Sequence, residues 1–150
     1  MRRDYFTLST RGGTADASEQ PVIRVTYGGP ISELESRLDP MDRSLDDDGI
    51  DVTYRLRESA GADAMGVFAV TDRVTGEYIL ELDVEAGEIF AVTAAASDGS
   101  ERDGNGRYRL VIESDDGTPM ATYERSTLLV YGVDGGILRD RSLIPSGVEI

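Results

Sequence analysis

The amino-acid sequence predicts an α+β fold: a mainly antiparallel sheet of about eight or nine short strands with two helices. Three observations carry this expectation. Short stretches alternate apolar and polar residues, as in 50–58 (IDVTYRLRE), where Val52, Tyr54 and Leu56 share one face and Thr53, Arg55 and Arg57 the other. Glycine-containing turns separate such stretches at Thr75-Gly76, Asp116-Gly117 and Asp134-Gly135-Gly136. Only two segments carry helical spacing, through Ile31, Leu34 and Leu38 and through Ile89, Val92 and Ala96.

The elements follow in order. Residues 4–9 (DYFTLS) read as a short strand and 11–20 (RGGTADASEQ) as a loop. Residues 21–27 (PVIRVTY) put Ile23, Val25 and Tyr27 on one face. Gly28-Gly29-Pro30 then breaks the strand, and proline suits a first helical turn. A short helix with the Ile31, Leu34, Leu38 stripe follows, then an acidic loop over 39–49 and the strand 50–58. Small residues at 59–64 (SAGADA) lead to a hairpin of 66–72 (GVFAVTD) and 76–83 (GEYILELD). Asp83 is placed to cap a second helix through about Ala96, with Glu85 and Glu88 in its first turns, where the helix dipole favours negative charge. A polar loop is expected over 97–106 (SDGSERDGNG). Residues 107–113 (RYRLVIE) return to strand, with Tyr108, Leu110 and Ile112 on one face. Further strands are expected at 119–125, 126–131 and 137–143, and Pro145-Ser146-Gly147 ends the pattern.

A chain of 150 residues is the length of one ordinary α+β domain, 1–150, able to bury roughly 70% of its unfolded surface. An internal repeat runs through it. Segments 4–58 and 66–113 both read strand, strand, helix, acidic loop, strand. Ile23 aligns with Tyr78, Leu34 with Ile89, and Tyr54 with Tyr108, and Tyr-Arg-Leu recurs at 54–56 and 108–110. Loop 10–20 is longer than turn 72–76, so the leading strands match less well. One reading is a duplicated ββαβ unit about a pseudo-two-fold axis, with C-terminal hairpin strands 119–143 added. The other is coincidence between two stretches of one α+β domain.

Charge is the strongest compositional signal. Asp and Glu number 29 against 15 basic residues, a net charge of −14, and every base is Arg. The complete absence of Lys, with Asp outnumbering Glu, points to a protein made for molar salt. At 1 M salt the Debye length is about 3 Å, so repulsion among carboxylates no longer opposes a compact state. Arg pairs with carboxylates through its planar fork, whereas Lys brings a long apolar stem. The competing explanation is Arg codon usage in an acidic mesophilic protein.

Cysteine and histidine are both absent. No disulfide, thiol nucleophile, zinc–thiolate site, histidine base or Ser-His-Asp triad can be built. Without Lys there is no Schiff base and no Walker lysine. Carboxylate, Tyr, Arg, Ser and Thr chemistry remains, and no catalytic or cofactor-binding residue is assigned.

Asp46, Asp47 and Asp48 are the candidate metal residues. An EF-hand loop starting at Asp46 would have Ile50 at position 5, Asp51 at position 6 and Arg57 at position 12, which breaks the pattern. Starting at Asp98, position 5 is Arg102. Runs of adjacent charges are usually solvated, which is the competing reading. Glu77, Glu81 and Asp83 share a strand face and are expected to pair with Arg107 and Arg109 on a neighbouring strand. Residues 106–113 (GRYRLVIE) are faintly like an aromatic RNA-binding strand but lack its Gly-Phe-Gly-Phe core, and the net charge repels phosphate. No nucleic-acid partner is therefore expected. Gly104-Asn105-Gly106 precedes a strand and cannot cradle a dinucleotide phosphate. Gly28-Gly29-Pro30 does precede a helix, but no bases flank it, so it reads as a plain turn.

The twin arginines at Arg2-Arg3 lead into polar Ser9 to Gln20, with no apolar export region. No stretch approaches the ~20 apolar residues of a membrane helix. A cytoplasmic location without membrane contact is the expectation.

The segments MRRDYFTL (1–8), VTDRVTGEYILEL (70–82), GRYRLVIES (106–114), STLLVYG (126–132) and SLIPSGVEI (142–150) span the full length. Through them the chain resembles a family of small haloarchaeal single-domain proteins of unknown function. That resemblance implies a halophilic, archaeal, soluble protein and brings no activity, cofactor or catalytic residue. In such a scheme 10–20 and 39–49 look like variable loops. The expected function is an uncharacterised cytoplasmic binding or protein-interaction module, a homo-oligomer or protein partner meeting an edge strand near 119–143. The alternative is a small-molecule-binding domain or a carboxylate-, Tyr- and Arg-dependent enzyme with a pocket between sheet and helix.

Overall fold

The computed structural model describes residues 5–11, 21–38, 49–58, 64–73, 75–103, 107–139 and 141–143, with residue 11 and residues 97–103 described by backbone. The elements are β1 (Phe6–Arg11), β2 (Val22–Tyr27), α1 (Ile31–Leu38), β3 (Ile50–Leu56), β4 (Met65–Asp72), β5 (Tyr78–Glu85), α2 (Ala86–Asp103), β6 (Tyr108–Ser114), β7 (Pro119–Arg125) and β8 (Leu129–Tyr131). The strands form two four-stranded sheets, ordered β1-β2-β6-β7 and β5-β4-β3-β8. Both sheets are mixed. β2–β6 and β3–β8 are parallel, and the remaining pairings are antiparallel.

The crossings tie the two sheets together. β3 follows the β1–β2 pair through α1 but joins the second sheet beside β4. β6 follows the β4–β5 hairpin through α2 but joins the first sheet beside β2. A long connection containing a helix is what a parallel pairing requires.

Alternation builds the core between the sheets. Parallel register sets Ile23 beside Leu110 and Val25 beside Ile112, all without solvent exposure. On the facing sheet, Tyr54 lies opposite Phe68 and Val52 opposite Val70. These side chains belong to one hydrophobic cluster. Each such aliphatic or Phe side chain contributes about 1.5–3 kcal/mol by leaving water. Helix α2 packs on β1 and β5, the outer strands of the two sheets, through buried Ile89, Val92 and Ala96. Helix α1 buries Leu34 and Leu38, while Ile31 stays 45% exposed and drops out of the expected stripe.

The expected α+β class holds, with two helices and eight strands, and the strands fall into two sheets. Four boundaries differ from expectation. Asp83 does not cap a helix, because β5 continues to Glu85, held by the Met65↔Glu85 pairing, and Val84 points into the core. Helix α2 begins at Ala86 and runs through the expected loop to Asp103. The described residues 137–139 and 141–143 form no strand. They touch the sheet at two single bridges, Tyr131↔Ile137 and Leu128↔Leu143. Between these bridges, Arg141 and Ser142 N–H groups turn back to Leu138 O at 3.1 and 3.0 Å, which interrupts any ladder. The expected strand 126–131 shortens to β8 because Ser126 and Thr127 carry the chain from one sheet to the other.

Candidate functional site

Three tyrosines sit in the core with essentially no exposure: Tyr27, Tyr54 and Tyr108. A buried phenol needs a hydrogen-bond partner. Tyr27 donates to Pro30 O at 2.9 Å, Tyr54 to Val84 O at 2.7 Å and Tyr108 to Thr127 O at 2.8 Å. Burial raises the pKa of all three. Glu58 and Glu85 add to the rise at Tyr54, whereas Arg125 partly opposes it at Tyr108 through charge and a hydrogen bond. These hydroxyls stay protonated and act as fixed donors to the backbone. Nothing in that role is catalytic.

The outer faces carry charge pairs. On the first sheet Arg24 lies 3.7 Å from Glu113, and Arg109 lies 2.7 Å from Glu124. On the second, Arg57 meets Asp83 at 3.1 Å and Arg73 meets Asp51 at 2.9 Å. The expected pairing of Glu77, Glu81 and Asp83 with Arg107 and Arg109 is therefore overturned. β5 and β6 belong to different sheets, and Asp83 and Arg109 bond elsewhere. Such exposed pairs are worth about 0–1 kcal/mol each and less in salt.

Sheet edges are the remaining feature. The outer strands β1 and β5 both pack against α2. The outer side of β8 takes the bridges from Ile137 and Leu143, and Leu138 N–H donates to Val130 O at 2.8 Å. The Ser142 hydroxyl accepts from Val130 N–H at 2.9 Å and donates to Leu138 O at 2.8 Å. β7 differs: among the described residues, no strand pairs with its outer edge.

The direction of its peptide groups can be worked out. Arg109 N–H donates to Pro21 O at 2.9 Å, on the β2 side of β6. Peptide groups alternate sides along a strand. Tyr108, Leu110 and Ile112 therefore address β7, and their partners Arg125, Tyr123 and Ala121 address β6. Thr122 and Glu124 are left pointing N–H and C=O away from the sheet. The register skips Met120 between Ile112↔Ala121 and Glu113↔Pro119, a bulge that ends the regular edge.

The other sequence candidates fall as follows. Asp46, Asp47 and Asp48 lie outside the described residues, as does Gly104-Asn105-Gly106. Among the described residues no three acidic side chains gather as a metal would need. Gly28-Gly29-Pro30 is a packed turn. Gly28 N–H donates to Tyr5 O at 2.7 Å, and a Cβ on Gly29 would come within 2.6 Å of the Tyr27 hydroxyl and the Tyr5 ring. The interface of α2 with the sheets is lined by Ile89, Val92, Thr93 and Ala96. Among the described residues, no helix is long and apolar enough to cross a membrane.

Asp72, Thr93, Ser114, Arg125 and Ser142 are buried polar residues that escaped the sequence reading. Arg125 is 7% exposed and Ser142 8%. Arg125 was detectable, since it shares the inward phase of Tyr123. Ser142 had no signal, because its role depends on a chain reversal that pattern does not encode.

The fold and its surface define a mainly-sheet α+β protein: two mixed sheets on a tyrosine-braced core, with no strand among the described residues on the outer edge of β7. The chain belongs to DUF5793, a family of unknown function, whose model matches residues 1–150. Comparison with curated proteins and with solved structures gives no match.

Proposed function

We propose that this chain is a salt-adapted cytoplasmic interaction module that recruits its partner by strand addition at the open edge of β7. The observation that carries this reading is the outward direction of the Thr122 and Glu124 peptide groups, derived from the β6–β7 register. An exposed row of backbone donors and acceptors is a template for another strand. The α2 interface buries Ile89, Val92 and Ala96 beside Thr93, a mostly apolar lining that favours this over a pocket-based enzyme. Salt adaptation follows from −14 charge without lysine and from the haloarchaeal resemblance.

Two measurements test it. Amide exchange is followed in molar KCl with excess synthetic peptide of residues 119–125 as the probe strand. Exchange at Thr122 and Glu124 slows on strand addition, while Tyr123, already bonded to β6, does not change. Fast exchange at both outward amides, with and without the peptide, overturns the reading. Thermal unfolding is followed as KCl is withdrawn, with a falling midpoint expected as carboxylate repulsion returns. A midpoint independent of salt removes the salt-adaptation part.

A further inference from the structure

We infer that the strand added at β7 is the β7 of a second copy of this chain, antiparallel about a two-fold axis through Tyr123. This rests on the strand-addition reading above and names its partner. A two-fold contact must be self-complementary. With the axis at Tyr123, Thr122 faces Glu124 of the second copy, and Glu124 faces its Thr122. Every outward N–H and C=O of these residues then meets a partner, giving about four backbone hydrogen bonds between copies.

Neighbouring registers fail on the same residues. An axis at Glu124 sets two carboxylates directly opposite, which destabilises the pair. An axis at Thr122 sets Glu124 against Met120, whose peptide lies in the bulge and out of ladder phase.

Charge selects the sheet. In molar salt the long-range repulsion between copies at −14 is screened, so only charges brought into direct contact count, and the contact favours a surface that is not locally negative. The strands of the first sheet contain Arg24, Arg109 and Arg125 against Glu113 and Glu124. Those of the second contain Arg55 against Asp51, Asp72, Glu81, Asp83 and Glu85. Glu124, the acid nearest the axis, is already held by Arg109 at 2.7 Å. Joining at β7 extends the basic sheet of each copy into the other and keeps the acidic sheets apart.

Sedimentation equilibrium in molar KCl over a concentration series tests the pairing, with T122E and T122R as the register probes. Thr122 is exposed, so neither variant disturbs the monomer core. A monomer–dimer equilibrium is expected. T122E, which opposes two carboxylates at each symmetric contact, raises the dimer Kd roughly two- to tenfold, and T122R lowers it by a similar factor. A wild-type chain that remains monomeric at every concentration overturns the inference. If the 119–125 peptide still slows exchange at Thr122 and Glu124, strand addition survives with a different partner. A dimer indifferent to both variants, or one leaving those amides in fast exchange, places the contact elsewhere and also overturns it.

Discussion

The two C-terminal strands, β7 and β8, end different sheets and are joined by the short crossing at Ser126 to Leu128. Their edges are treated in opposite ways. After β8 the Asp134-Gly135-Gly136 turn, closed by Gly132 N–H to Gly136 O at 2.8 Å, returns the chain along the strand. The return makes only two bridges, and the Ser142 hydroxyl supplies the bonds a ladder would have made. β7 is reached by the tight turn at Asp115 to Thr118 and leaves at once for the other sheet, so no described segment comes back along it. Among the described residues an edge is closed by the chain that follows, and β7 keeps an unpaired outer edge because its successor joins the other sheet. Sheet charge follows the same division: the open edge belongs to the sheet poor in acids.

The largest expected effect tests whether the two sheets are one folding unit. Phe68 in β4 and Leu110 in β6 are both fully buried in the shared cluster. Phe68→Ala should cost about 3–5 kcal/mol and Leu110→Ala about 2–5 kcal/mol through lost burial and the cavity left behind. Chemical denaturation in molar KCl, followed by circular dichroism and by amide exchange in each sheet, should give one transition for each variant. If Leu110→Ala melts the first sheet and leaves β3–β4 protected, the sheets are separate units and the edge comparison loses its frame.

A smaller effect is expected where β8 is closed. Ser142→Ala removes the acceptor for Val130 N–H and the donor to Leu138 O, leaving buried backbone groups without those partners. The cost should be about 1–3 kcal/mol. Exchange should quicken at Val130 and stay unchanged at Tyr123, whose amide faces β6. Equal acceleration at both would mean that the two edges are not independently closed.

Much of this architecture was legible because period and burial coincide. In β2, β3 and β6 every inward residue named from alternation is buried, and the Ile89, Val92, Ala96 stripe of α2 is buried too. What escaped were facts about where a strand goes after it forms. Alternation identifies Tyr108, Leu110 and Ile112 as one face but does not say that β6 lies beside β2, so the ion pairs of Arg109 and Asp83 were misassigned. The helix start failed because Val84 satisfies both periods, as an inward strand residue and as a first-turn residue. Of the candidate site, the region 119–143 was legible as exposed strand, but only the register divides it into a closed β8 and an open β7.

The smallest effect concerns the turn that delivers the chain to β7. Asp116 is fully solvent-exposed, yet its carboxylate accepts from the Ser114 hydroxyl and from Thr118 N–H at 2.9 Å. The Ser114 hydrogen bond, reinforced by Thr118, holds its pKa down at about 2, against about 3.9 for a free Asp. Gly117 follows at φ 86°, a conformation that a side chain would strain. Because the folded value lies below the unfolded one, this group's contribution to stability is complete above pH ~4 and fades as pH falls toward about 2. Carboxyl chemical shifts followed by NMR in molar KCl should show Asp116 titrating near 2. Asp116→Asn should delete that titration while keeping an acceptor for Thr118 N–H, so the β6–β7 amides stay protected. An Asp116 midpoint at the free-Asp value would mean the turn is open in solution. The outer edge of β7 would then lack the fixed twist and register on which pairing through Thr122 and Glu124 depends.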